Sequence, residues 1–125
     1  MNLEKLLQFL EAASAPDRKL DVLLGIQIGY ERHLARHVEE TEPLRMKWKK
    51  PDGDIGNMPS FTESVDAAWE FALAFNGEID IIAVAIDEHG RGSAQINEVK
   101  ALHLPNAALA LCVAAVQARL ARKNP

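Results

Sequence analysis

Cysteine and long apolar runs are both scarce in this chain of 125 residues. Cys112 is the only cysteine, so no disulfide can form within the chain, and the composition is typical of a reducing compartment. No apolar run approaches the roughly 20 residues that a membrane-spanning helix requires. The N-terminal stretch resembles a signal peptide only superficially, because Glu4, Gln8 and Glu11 interrupt it. We therefore expect a cytoplasmic protein with no membrane partner.

An excess of basic residues is also lacking. The formal net charge is −4 at pH 7. Proteins that bind nucleic acids in general obtain most of their affinity by neutralising phosphates with Lys and Arg, so the negative charge argues against nucleic acid as a partner of the chain as a whole.

The composition is that of one globular domain. Hydrophobic residues make up 48% of the chain and charged residues 26%, which is too apolar for a disordered protein. A chain of this length can bury about two-thirds of its unfolded surface. We expect a single domain over residues 1–125.

The hydrophobic periodicity predicts an α+β fold in the order ααβαββα. Helices are predicted over residues 2–13, from 15 to 25 or beyond, from 60 or 62 to 75, and from 106 onward. Strands are predicted over residues 44–49, 79–86 and 93–101. Residues 30–42 fit either a charged helix or a strand followed by a loop, and 51–59 read as a loop. A sheet of three strands is stable only when helices cover its apolar face, so we expect one small, mostly antiparallel sheet layered with helices.

Polar residues before three of these helices are typical helix caps. Ser14 and Asp17 fit a capping box for the second helix. Either Ser60 or Thr62 is positioned to cap the third helix, and Asn106 the last.

Three segments, taken together, resemble a known family. They are Pro-Asp-Arg-Lys-Leu-Asp (residues 16–21), Pro-Ser-Phe-Thr-Glu-Ser-Val-Asp-Ala-Ala-Trp (59–69) and the Ala-rich helix over 106–121. In order and in most positions they are similar to the phage ABA sandwich domain proteins, which are small proteins of phages and prophages. Val65 and Ala107 depart from the family pattern. The resemblance implies helix–sheet–helix layering, a bacterial host and no known activity or catalytic residues.

Two histidines form a candidate metal site. His33 and His37 are four residues apart, which on a helix would place both imidazoles on one face, as zinc sites require. A third ligand is not evident, so the favoured interpretation is a solvated polar face. The alternative is a metal-dependent hydrolase.

A basic segment surrounds Trp48 and forms a candidate nucleic-acid site. Its cationic members are Arg45, Lys47, Lys49 and Lys50. Such a strand can bind single-stranded nucleic acid through phosphate contacts and base stacking. The favoured interpretation is instead a half-buried strand, with Trp48 in the core and the lysines keeping a sheet edge unpaired.

The other reactive side chains are explained by turns and packing. Asp87, Glu88 and His89 occupy a predicted hairpin tip, where charged residues are common, and no second element of an acid–base site accompanies them. Cys112 lies in an apolar helical stripe and is interpreted as core filling. We therefore expect no catalytic residue and no cofactor. The function that remains is binding to another protein, with a second copy of the chain as one candidate.

Overall fold

The computed structural model describes residues 2–33 and 47–123. Within these ranges the chain forms four α-helices and six short β-strands. In chain order they are α1 (Leu3–Ala12), α2 (Arg18–Gln27), β1 (Glu31–His33), β2 (Lys47–Lys49), β3 (Ile55–Gly56), α3 (Val65–Asn76), β4 (Ile82–Ile86), β5 (Gly92–Ile96), β6 (Val99–Leu104) and α4 (Ala107–Lys123).

The strands form two antiparallel sheets of three strands each. In sheet A, β2 lies between β1 and β3, and Trp48 is opposite both Arg32 and Gly56. In sheet B, β5 lies between β4 and β6, and Val84 is opposite Ala94. The central strand is therefore β2 in sheet A and β5 in sheet B, and the other described strands lie at the edges.

The predicted α+β class is confirmed, and the element order agrees roughly with the predicted one. The number of strands differs, because the described residues form six strands in two sheets, whereas three strands in one sheet were predicted. The single strand predicted over residues 93–101 is two strands, because Asn97 turns the chain with a φ of 53°. Asn adopts this left-handed conformation more readily than most residues.

The segment around sheet A also differs from the prediction. β1 agrees with the strand that begins one of the two alternatives for residues 30–42, of which 34–42 lie outside the described residues. β3 lies in a stretch predicted as a loop. Of the strand predicted over residues 44–49, the last three residues form β2, and the first three lie outside the described residues.

α4 forms the centre of the core. Ten consecutive residues from Ala107 to Val116 are buried, so this helix is apolar on all sides. It packs against sheet B on one side and against α3 and α1 on the other. The buried side chains of Ala94, Ile96 and Ala101 lie on the face of sheet B that meets α4. Alanines on α4 allow the helix to approach its neighbours closely.

Two of the predicted caps are wrong, and a third is confirmed. Asp17 rather than Ser14 caps α2, and its side chain accepts from the Lys19 N–H. Ser64, rather than Ser60 or Thr62, caps α3. Asn106 does cap α4, because its Oδ1 accepts from the Leu109 N–H at 2.7 Å. The changes involve the Thr62 hydroxyl, which accepts from the Asp17 N–H and donates to Asp21 and therefore does not cap α3.

Candidate functional site

The basic segment around Trp48 does not form an aromatic platform. Trp48 is 5% exposed on the central strand of sheet A, and the guanidinium of Arg32 lies 5.9 Å from the centre of its ring. Lys49 is exposed, whereas Lys47 and Lys50 are half-buried. The expectation that the lysines protect a sheet edge is wrong, because β2 is central. Base stacking on Trp48 remains an untested prediction, and with 5% of the residue exposed the ring offers little surface for it in this structure. Arg45 lies outside the described residues.

His33, the described member of the histidine pair, does not lie on a helix. His33 is exposed on strand β1, opposite Lys47, so the spacing that would place two imidazoles on one helical face does not apply to it. His37 lies outside the described residues. Across residues 2–33 and 47–123, no group of three or more His, Cys, Asp or Glu side chains is arranged to hold a metal ion.

The hairpin between β4 and β5 is organised by one carboxylate. Asp87 Oδ1 accepts hydrogen bonds from the backbone N–H groups of His89 and Arg91, at 2.8 and 2.9 Å. Glu88 and His89 are exposed, and His89 Nε2 lies 3.4 Å from Glu88 Oε1. Asp87 therefore stabilises the turn, and the three residues do not converge on a cleft.

A buried polar network joins α2 to the loop that precedes α3. Asp21 is only 1% exposed, and its Oδ1 accepts hydrogen bonds from both the backbone N–H and the hydroxyl of Thr62, each at 2.8 Å. Thr62 Oγ1 in turn accepts from the Asp17 N–H at 2.9 Å. Arg18 Nη1 lies 2.9 Å from Asp21 Oδ2 and compensates its charge. We call Asp17, Arg18, Asp21 and Thr62 the Asp21 network.

Arg18 extends the Asp21 network along the loop. Its guanidinium donates to the carbonyl oxygens of Met58, at 2.8 Å, and Pro59, at 3.3 Å. It also donates to the hydroxyl of Ser60 at 3.1 Å. One side chain therefore fixes three successive residues of the loop. Two of these bonds hold backbone carbonyl oxygens and one holds a side chain, and the Asp21 carboxylate stays buried.

The start of α4 completes this junction. Asn106 Nδ2 donates to the carbonyl oxygen of Thr62 at 3.1 Å, while its Oδ1 caps the helix. Cys112 Sγ lies 3.3 Å from the carbonyl oxygen of Phe61 and donates to it. The three segments that carry the family resemblance thus meet at one place. Hydrogen bonds between polar groups of these segments hold the loop before α3 against α2 and α4.

Sequence reasoning missed the Asp21 network, although one signal for it was present. Asp21 follows Leu20 and precedes Leu24 by three residues, so it lies on the buried face of α2. A charged residue on such a face needs a partner. The partner, Thr62, is 41 residues away along the chain, and the sequence pattern of α2 does not identify it.

The environment of Cys112 leads to a testable reactivity. Burial, and to a smaller extent the negative charge of Asp21, raise the pKa of the Cys112 thiol above its usual range. The reactive thiolate is therefore depleted at pH 7–9. We expect a disulfide reagent to label the native protein at least about 100-fold more slowly than the unfolded chain, because access requires opening of the core. The absorbance of released thionitrobenzoate, with and without denaturant, measures this ratio. Equal rates would contradict the described burial.

The face of sheet B that points away from α4 is exposed and mainly formed by small or apolar side chains. We call it the open face. Leu102 is 58% exposed there. A shallow groove of about 170 Å³ crosses this face, which is below the roughly 300–1,000 Å³ of small-molecule pockets. The outward side chains of the open face are Ala83, Ala85, Ser93, Gln95, Lys100 and Leu102.

Comparison of the chain with known protein families, with curated proteins and with solved structures finds no match. Among the described helices, none combines the length and apolar character needed to cross a lipid bilayer.

Proposed function

We propose that this chain is a phage- or prophage-encoded accessory protein of the phage ABA sandwich kind. In this proposal it acts in the cytoplasm of a bacterial host by binding another protein through sheet B. The resemblance of three segments supports the family and the host. The mode of action is supported by Ala83, Ala85 and Leu102, which line one groove on the open face, since contiguous exposed apolar surface is typical of protein interaction sites.

The observation that carries this proposal is the exposure of large aliphatic side chains around one sheet. Ile81 is 52% exposed beside Gln95 and Lys100, and Leu102 is 58% exposed in the groove, so both lie on the open face. By contrast, the buried polar side chains of the Asp21 network are occupied with one another and with backbone. The polar groups thus serve the fold, and the open apolar surface is left for a partner.

Site-specific photo-crosslinking in bacterial cells tests the proposal. A photoreactive phenylalanine derivative replaces Leu102 on the open face or, as the matched control, Ile26 on α2, which is 46% exposed. We expect one dominant crosslinked species from position 102 and none from position 26. Co-expressed wild-type protein should compete for that species. Equal crosslinking from both positions would contradict the proposal, and a species of twice the chain mass would identify the partner as a second copy.

A further inference from the structure

The two outer edges of sheet B differ in how far they are protected from pairing. Strand β6 contains Lys100 and is distorted at His103, which has a φ of 60°. The register between β5 and β6 also shifts near this point. Charged residues and bulges of this kind are the common means by which proteins prevent an edge strand from pairing. β4 has a regular register over all five residues.

The regular hydrogen bonding of β4 defines which of its backbone groups are free. The Asn97 N–H donates to the Ile81 carbonyl, and the Asp87 N–H donates to the Arg91 carbonyl. Hydrogen-bonded pairs alternate along an antiparallel ladder, so residues 81, 83, 85 and 87 use their backbone groups toward β5. The N–H and C=O groups of residues 82, 84 and 86 therefore point to the outer edge. In the described part of the chain, no further strand pairs there.

The side chains of β4 offer no protection to that edge. Its sequence, Ile-Ala-Val-Ala-Ile, contains no charge and no proline, and Ile86 at its end is 67% exposed. An unpaired apolar edge of this kind is a template for adding another strand.

The charges that flank β4 indicate what kind of strand is accepted. Glu78 and Asp80 precede it, Asp87 and Glu88 follow it, and all four residues are exposed. No Lys or Arg occurs between Glu78 and Glu88. Symmetric pairing of two copies about Val84 would place Asp80 opposite Glu88 twice, and like charges in opposed positions are destabilising. A strand with basic ends would instead meet opposite charges at both ends.

We propose that the β4 edge binds an extended apolar segment of a partner protein that carries Lys or Arg at both of its ends. The segment adds to sheet B as a fourth strand, with backbone hydrogen bonds to residues 82, 84 and 86. This inference deepens the proposed function and rests on it, since it names the element that is bound and the chemistry of the partner.

Synthetic peptides test the charge requirement. The probe is a fluorescein-labelled peptide in which Val-Thr-Val-Thr-Val is flanked by two lysines at each end. The matched control has two glutamates at each end, and fluorescence anisotropy measures binding to the full chain. We expect saturable binding of the lysine peptide, at least about tenfold weaker binding of the glutamate peptide at low salt, and loss of the difference at high salt. The double variant Asp80→Lys/Glu88→Lys leaves two acidic and two basic residues beside β4, so it should abolish the preference.

A proline at position 84 tests the strand addition itself. The Val84 N–H points to the outer edge, so Val84→Pro removes a donor to the added strand and leaves the β4–β5 ladder intact. We expect at least about tenfold weaker peptide binding with unchanged circular dichroism. Amide hydrogen exchange gives an independent measurement that needs no variant. The lysine peptide should protect the amides of residues 82, 84 and 86, and should leave β6 unchanged.

Three results would overturn the inference. They are absence of lysine-peptide binding at millimolar concentration, protection on β6 instead of β4, and protection of β4 amides without peptide in a dimeric species. The last would assign the edge to a second copy. Each is distinguishable from failure of the proposed function, because crosslinking from position 102 reports on the open face and requires no peptide. Loss of both signals removes the function as well as the edge.

Discussion

Asp21→Ala is expected to lower the free energy of unfolding by about 3–5 kcal/mol. The Asp21 carboxylate is 1% exposed and accepts two hydrogen bonds from Thr62 and one from Arg18. Its removal leaves the Thr62 N–H buried without an acceptor and releases Arg18 from its charge partner. Urea unfolding followed by circular dichroism measures the change as a shift of the midpoint at constant slope.

Asp17→Ala is the matched control for this prediction. Asp17 is an exposed aspartate at the N-cap of the same helix. It joins the Asp21 network through its backbone N–H, which Asp17→Ala keeps, and its carboxylate accepts one hydrogen bond, from the Lys19 N–H. Loss of such a cap costs about 1 kcal/mol. Thr62→Val completes a double-mutant cycle with Asp21→Ala, and we expect a coupling of at least about 1 kcal/mol between the two positions. Equal losses from Asp17→Ala and Asp21→Ala, with no coupling, would show that the Asp21 network contributes no more than an ordinary cap.

The same network explains why the helix starts could be predicted only approximately. Ser60, Thr62 and Ser64 all satisfy the local requirement for an N-cap, because each has a hydroxyl before an apolar helical pattern. The hydroxyl of Thr62 is taken by Asp17 and Asp21, more than 40 residues away. Ser64 is then the residue left to cap α3. The sequence analysis named Ser60 and Thr62 and omitted Ser64, because the contact that removes Thr62 from the choice is long-range.

The strands show the same division between local and long-range information. Alternation correctly predicted that Trp48 lies on a buried side, because a period of two defines the two faces of a strand. It did not predict that β2 is central in a sheet of its own, because strand pairing depends on partners distant in the chain. The α+β class followed from helical periods in four segments and β-branched runs in others. The free backbone groups of β4 could be identified only from the register of sheet B, because that register determines which residues form hydrogen bonds to β5.

Gly92→Ala is expected to be the second large effect, about 3 kcal/mol or more. Gly92 is buried at the start of β5, where α4 begins. A Cβ there would overlap the backbone nitrogen and Cα of Ala107 and the carbonyl carbon of Asn106. Backbone atoms at a helix start cannot rotate away as a side chain can. The substitution must therefore displace α4 from sheet B, and amide exchange in β5 should accelerate together with the fall in unfolding midpoint.

Gly25→Ala separates a clash with backbone from a clash with a side chain. A Cβ at Gly25 would overlap the sulfur and terminal methyl of Met58, which is buried but has three rotatable bonds. Gly25 also lies inside α2, where alanine is favoured over glycine by about 1 kcal/mol. These two terms oppose each other, so we expect a net loss below about 2 kcal/mol. A loss from Gly25→Ala as large as that from Gly92→Ala would contradict the view that close approach of backbone, rather than crowding in general, requires glycine where β5 meets α4.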